Sequence, residues 1–199
     1  MRFLLAAVLV LASLSAVRAQ EALPRDEALK IACQLCRNVP KMLATPIATD
    51  PDVKWPVGIR GDNRGLLVFP ETKLRLAEFA KAGTEVMPVG QLWLLKVTPV
   101  VAGQPARADK LLLVNVDGDQ TGVTPALCAL GVRKAADGRL ELLVYGKDKE
   151  PLLHTPLMPL SGEQADPIAV SVSLEGDGLL ITLKILGKYT ASFPAGLSE

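Results

Sequence analysis

"GLLITLKILGKYTASF", residues 178–193, sets Leu179, Ile181, Leu183 and Ile185 on one parity and carries that parity on to Tyr189, Ala191 and Phe193. A period of two marks a strand with one buried and one wet face. The stretch is read as the last strand of the chain. Just upstream, "IAVSVSLE" (168–175) repeats the pattern, with Val170, Val172 and Leu174 opposite Ala169, Ser171 and Ser173. Working back from there, "QLWLLKVTPVV" (91–101), "KLLLVNV" (110–116), "TPALCALGVRK" (124–134), "RLELLVYG" (139–146) and "EPLLHTPLMPL" (150–160) are further strand candidates. Turn signals at Asp117-Gly118-Asp119, Asp137-Gly138, Ser161-Gly162 and Gly176-Asp177-Gly178 separate several of them. Short strands joined by hairpin turns predict a mainly β fold, an antiparallel immunoglobulin-like β-sandwich over residues 64–199.

Before these strands the pattern changes. "RGLLVFP" (64–70) reads as a short strand. "PETKLRLAEFAKAG" (70–83) reads as a short helix with Leu74, Leu76, Phe79 and Ala80 apolar and Gly83 at its C-terminal cap. Residues 40–63, punctuated by Pro40, Pro46, Pro51, Pro56, Gly58 and Gly61, read as an irregular connection. Residues 26–38 predict an amphipathic helix. Ala28, Leu29, Ile31, Ala32, Cys33, Leu35, Cys36 and Val39 share one broad arc, and Asp26 and Glu27 sit in the first turn, where the helix dipole favours acids. This helix is expected to pack on the sandwich or on a partner.

Residues 1–19 read as a secretory signal peptide. Arg2 supplies the basic start, Phe3–Leu14 the apolar run, and Val17-Arg18-Ala19 a cleavage site after Ala19. The run is shorter than an ordinary membrane span, so no stable membrane anchor is expected. Without Arg2 and Arg18 the chain holds 20 basic against 21 acidic residues, a net charge of −1. A near-neutral chain with no basic cluster argues against nucleic acid as a partner. The expected location is the periplasm or the cell exterior, where disulfides persist.

The strand-and-turn rhythm over residues 58–194 resembles small exported bacterial β-sandwich proteins of domain-of-unknown-function families. It is carried by "GDNRGLLVFPE" (61–71), "VGQLWLLKVTPVVAGQPARADKLLLV" (89–114), "LGVRKAADGRLELLVYGKDKEPLL" (130–153) and "GLLITLKILGKYTASFP" (178–194), with Trp93, Lys96, Ala102, Gly103 and Pro105 inside them. The resemblance implies a sandwich and carries over no activity and no functional residue.

Cys33 and Cys36 form a Cys-x-x-Cys pair. In thiol oxidoreductases such a pair opens a helix after a strand, so that the helix dipole lowers the first thiol's pKa. Here Cys33 falls about two turns into the helix, beyond that influence. Arg37, in place of His, excludes a c-type haem motif. The pair is read as a buried helix-face pair, free or disulfide-linked, with a redox pair as the alternative. Cys128 and His154 would complete a Cys₃His set, but each lies inside an apolar strand, so no metal and no cofactor is expected. "DGDQTG" (117–122) begins like a calcium loop, yet Cys128 stands where the acidic twelfth residue belongs. Arg60-Gly61-Asp62 reads as turn chemistry. As the sole histidine, His154 would have to serve any Ser-His or Cys-His mechanism. No Gly-x-Ser-x-Gly elbow and no phosphate-cradling loop occurs. Trp55 is the candidate exposed ligand surface, while Trp93 is read as core. These residues predict a non-enzymatic binding or structural module whose partner is an envelope or extracellular protein or glycan. The alternative is a thiol-redox protein.

Overall fold

The computed structural model describes residues 20–38, 44–79, 81–116, 124–176 and 178–198. Among these, two antiparallel sheets pack face to face, as the alternating stretches predict. The first sheet holds, edge to edge, β1 (Glu21–Ala22), β2 (Val57–Gly61), β3 (Arg64–Pro70), β4 (Met87–Leu95), β8 (Ala126–Lys134), β9 (Leu140–Tyr145) and β10 (Leu153–Pro156), with β7 (Leu112–Leu113) also on β8. The second holds β12 (Ile168–Glu175), β13 (Gly178–Ile185), β14 (Tyr189–Leu197), β5 (Val97–Val101) and β6 (Gln104–Pro105), with β11 (Met158–Pro159) on β14. Two helices accompany them, α1 (Arg25–Asn38) and α2 (Leu76–Phe79).

The 178–193 stretch is a hairpin rather than one strand. Leu186 and Gly187 both take positive φ, 55° and 63°, so the chain reverses there through a primed turn. Ile185 then faces Tyr189, and odd residues pair with odd ones: Leu183 with Ala191, Ile181 with Phe193. The parity survives the turn, so every odd position from Leu179 to Ile185 and from Ala191 to Ala195 is buried. Thr182 and Ser192 pair on the opposite face at 2.8 Å.

"QLWLLKVTPVV" also divides. Lys96, at φ 52°, breaks it into β4 in one sheet and β5 in the other. "EPLLHTPLMPL" likewise supplies β10 to the first sheet and β11 to the second, and "KLLLVNV" contributes only the two residues of β7. The stretch read as irregular contains β2, which pairs with β3 from Val57 to Gly61. The short helix shrinks to the single turn α2. Its first half is committed elsewhere: Asp52 N–H donates to the Pro70 carbonyl at 2.7 Å, and the Thr72 N–H and hydroxyl both reach the Asp50 carbonyl. Backbone tied to a neighbouring segment cannot also close helical turns. Phe79 still anchors the region, buried and stacked on Tyr189 with ring centroids 5.3 Å apart.

The main core lies between the sheets and includes Leu92, Leu130, Leu142, Ile181, Leu183 and Phe193. Cys128 is fully buried there, and burial pushes its thiol up to about 12. A raised folded-state pKa stabilises the fold below the thiol's ordinary value of 9.0, and that stabilisation is lost as pH rises from there towards 12. Between pH 10 and 11 the chain is therefore expected to lose about 1 kcal/mol more than a Cys128→Ala variant. Urea unfolding at the two pH values measures this, and equal losses would show that Cys128 titrates freely.

The first sheet is buried on its outer face too. Leu67, Phe69, Trp93 and Leu127 point away from the main core into a second cluster with Ala28 and Ala32 of α1. Ala129, Leu143 and Tyr145 form a third with Ile47 and Val86. The N-terminal helix thus packs on its own sandwich, giving three layers: helix, first sheet, second sheet.

Candidate functional site

α1 begins after Pro24, whose carbonyl accepts from the Ala28 N–H at 2.9 Å. Its buried stripe is narrow. Ala28 and Ala32, each 1% exposed, meet the sheet, and Leu35 is half-buried beside them. Alanines let the helix backbone approach closely, but they fill little of the space under it. What is left is a groove of about 580 Å³ between α1 and the first sheet. Ile31, Leu35 and Leu23 line its helix side, while Leu66, Leu67 and Trp93 line its sheet side. Ile31 remains 37% exposed over it.

The charged residues Glu27, Arg60 and Arg64 also border the groove, the Arg64 side chain lying over Gly61 on the other face of the sheet. Arg60 donates to Glu27 at 2.6 Å and lies 3.4 Å from Glu21, which pins the start of α1 to β2. The same pairs hold the arginine of the Arg60-Gly61-Asp62 tripeptide, and Gly61 ends β2 at its turn. Arg64 opens β3. Its Nε is shielded from solvent and has no hydrogen-bond partner among the described residues.

The expected burial of the thiol pair is not realised. Cys33 and Cys36 are both exposed, and both are free. At about 100° per residue Cys36 lies roughly 80° and Cys33 roughly 140° round from Ala28. The apolar arc of the sequence is broad, but only its Ala28–Ala32–Leu35 centre reaches the sheet, so the thiols fall outside the contact. The Cys36 thiol is raised by partial burial and then by the neighbouring Cys33 charge. That is the opposite of an activated nucleophile. At neutral pH an alkylating reagent is expected to modify Cys33 and Cys36 in the native chain and Cys128 only after unfolding. Mass spectrometry of the labelled peptides checks this, and native labelling of Cys128 would contradict the packing described above.

The structure keeps Cys128 and His154 apart from that pair. Cys128 faces the main core, and His154 projects from the outer face of β10. His154 Nδ1 lies 3.1 Å from Glu141 Oε2, and Arg133 Nε donates to Glu141 Oε1 at 2.6 Å. Glu141, 9% exposed, is thus a buried carboxylate held between two donors on neighbouring strands. The His154 backbone, with Leu153 and Thr155, borders a cleft of about 350 Å³ between β10 and the second sheet. Thr155 lies in that cleft, but its hydroxyl donates to the Ser192 carbonyl at 2.9 Å. A hydroxyl spent on a backbone carbonyl is not poised as a nucleophile, so the trio reads as a cross-strand clamp. Among the described residues no group of three His, Cys, Asp or Glu side chains gathers as a metal site.

Trp55 is half-buried, with the Arg25 guanidinium 4.1 Å above its ring. Arg25 in turn lies 3.6 Å from Asp166, so one face of the indole is covered by a cation from α1. The calcium-like loop and the signal segment lie outside the described residues. Sequence reading missed the groove because it is an empty space between elements distant in the chain. The one available signal was the pair of alanines at helical spacing, Ala28 and Ala32. No protein-family model, curated protein or solved structure matches the chain.

Proposed function

We propose that this chain is a non-enzymatic binding module, exported to the periplasm or cell exterior, whose ligand surface is the groove under α1. The observation that carries the reading is the groove itself: about 580 Å³, walled by Ile31, Leu35, Leu67 and Trp93 and open to solvent beside Ile31. Its volume falls in the range of about 300–1,000 Å³ typical of small-molecule sites, and its lining is the usual apolar wall with a few polar groups. The apolar run at residues 3–14 supports export. The test is titration with Nile red, a neutral apolar dye. Saturable uptake with a blue-shifted emission is expected, and Ile31→Glu combined with Leu35→Glu should abolish it. Absence of saturable uptake, or uptake that ignores both substitutions, would defeat the reading.

A second reading, a thiol-redox protein using Cys33 and Cys36, draws on their shared exposure one helical turn apart. Positions i and i+3 of a helix lie about 5 Å apart, within reach of a disulfide. Equilibration in glutathione buffers tests it. A redox pair forms an intramolecular disulfide reversibly, whereas chains that acquire only mixed disulfides with glutathione rule the role out.

A further inference from the structure

We infer that β12 is a docking edge for a second copy of this chain, whose own β12 pairs with it antiparallel about a twofold axis at Val172 and joins the two second sheets into one. The edges of the two sheets are protected unequally. β1 and β6 have two residues each, and β10 has four and ends on Pro156. Short edge strands and prolines keep other chains from adding a strand. β12 has neither protection. It runs for eight residues, Ile168–Glu175, without a proline or a lysine, and it pairs only with β13 among the described residues. Its sequence, IAVSVSLE, alternates apolar and small residues and carries one charge, at Glu175. The side of its backbone away from β13 is a row of donors and acceptors open to another strand.

The side chains along this edge suit a twofold partner. Val170, Val172 and Leu174 share the parity of the core, opposite Leu183, Ile181 and Leu179 of β13. Yet Val170 and Val172 are only half-buried, and Leu174 is 61% exposed, the most of any large apolar side chain among the described residues. A twofold axis at Val172 sets Val170 against the second copy's Leu174, so the two apolar rims cover each other. On the other face the same register sets Ala169 against the second copy's Glu175, while Lys184 of β13 flanks Ala169 from the opposite side. Lys184 and Glu175 are both exposed, and neither enters an ion pair among the described residues. Their backbones then stand two strand spacings apart, about 10 Å, a span that a lysine and a glutamate reaching from both ends can close over the small alanine. Symmetry supplies this pair twice, and no like charges stand opposite each other.

Sedimentation equilibrium on the chain from Gln20 onward, which carries every described element, tests this. A reversible monomer–dimer equilibrium is expected, and hydrogen exchange should show amides of residues 168–175 slowing as the chain is concentrated. Ser171→Lys with Ser173→Lys sets lysines opposite one another in this register and should weaken the dimer about tenfold. Both serines are exposed, so the monomer should keep its urea midpoint. Glu175→Lys and Lys184→Glu should each weaken the dimer about threefold, and the two together should restore it. Ile31→Glu with Leu35→Glu, in the groove under α1, should leave dimerisation unchanged. A chain that stays monomeric at every concentration, including one that takes up a foreign extended peptide at β12 instead, overturns the inference. So does a dimer that ignores the two lysines, or one whose concentration-dependent protection falls outside β12.

Discussion

Replacing Ala32 with glutamate is expected to lift α1 off the first sheet and abolish groove binding while the sandwich stays folded. Ala32 is 1% exposed and packs in the cluster with Leu67, Phe69 and Trp93. A carboxylate placed there has no partner, and burying an unpaired charge costs several kcal/mol. α1 has few contacts with which to resist. Its buried stripe is two alanines and one half-buried leucine, supplemented by the exposed Arg60–Glu27 pair and by Arg25 over Trp55. Exposed pairs add about 0–1 kcal/mol. A 14-residue helix is marginal in water on its own, so once released it should also unravel. Hydrogen exchange across residues 25–38 is the measurement, with amides expected to exchange at least 100-fold faster than in the parent chain. Trp93 emission should shift to the red as its cover departs. Lys30→Gln, on the exposed side of the same helix, serves as control and should change neither signal. Retained protection of α1 in Ala32→Glu would show that the helix is held by something other than this stripe.

Gly90→Ala should be the most damaging single-methyl change, at roughly 4–5 kcal/mol. Gly90 sits at the irregularity where β4 shifts register against β8, between Pro88 and Gly90, and it pairs with Pro70 on β3. Its φ of 155° is one that side chains rarely adopt, and a Cβ there would collide with the backbone carbonyl oxygen of Phe69. Neither partner can move cheaply, because Phe69 is buried and the strands on both sides are paired. Gly138→Ala is the comparison. That glycine also has positive φ, 82°, but nothing lies near its missing Cβ, so only the conformational cost of about 1–2 kcal/mol applies. Urea midpoints of the two variants measure the difference. Equal losses would mean that the β3–β4 approach at Gly90 is looser than the structure has it.

The two sheets were unequally legible, for one physical reason. In the second sheet the outer face is polar, so Thr182 and Ser192 alternate with buried neighbours and Ser171 with half-buried ones, and the period of two can be read directly. In the first sheet both faces are covered. "GLLVF", "LWLL" and "LLVY" are apolar on successive residues, as strands buried on both sides must be. Such runs announce strands without saying what lies on either face. The hairpin at Leu186–Gly187 was hidden by its own symmetry. A turn that sets Ile185 opposite Tyr189 keeps odd residues facing the core, so the parity of one long strand and of two paired strands is the same.

By itself the sequence determined the mainly β sandwich, the polarity of the second sheet, the amphipathic helix, and the lack of the histidine that a haem motif requires after the second thiol. These are local matters, settled by side-chain periodicity and by which residue stands next to which. Only the tertiary structure decided that α1 lies on its own first sheet, that its contact stripe is narrow enough to leave Cys33 and Cys36 in solvent, that Trp55 is capped by Arg25, and that an apolar groove remains beneath α1. A helix's apolar arc records which residues can be buried. How many of them are buried depends on the width of the surface it meets, and that surface is assembled from strands distant in the chain.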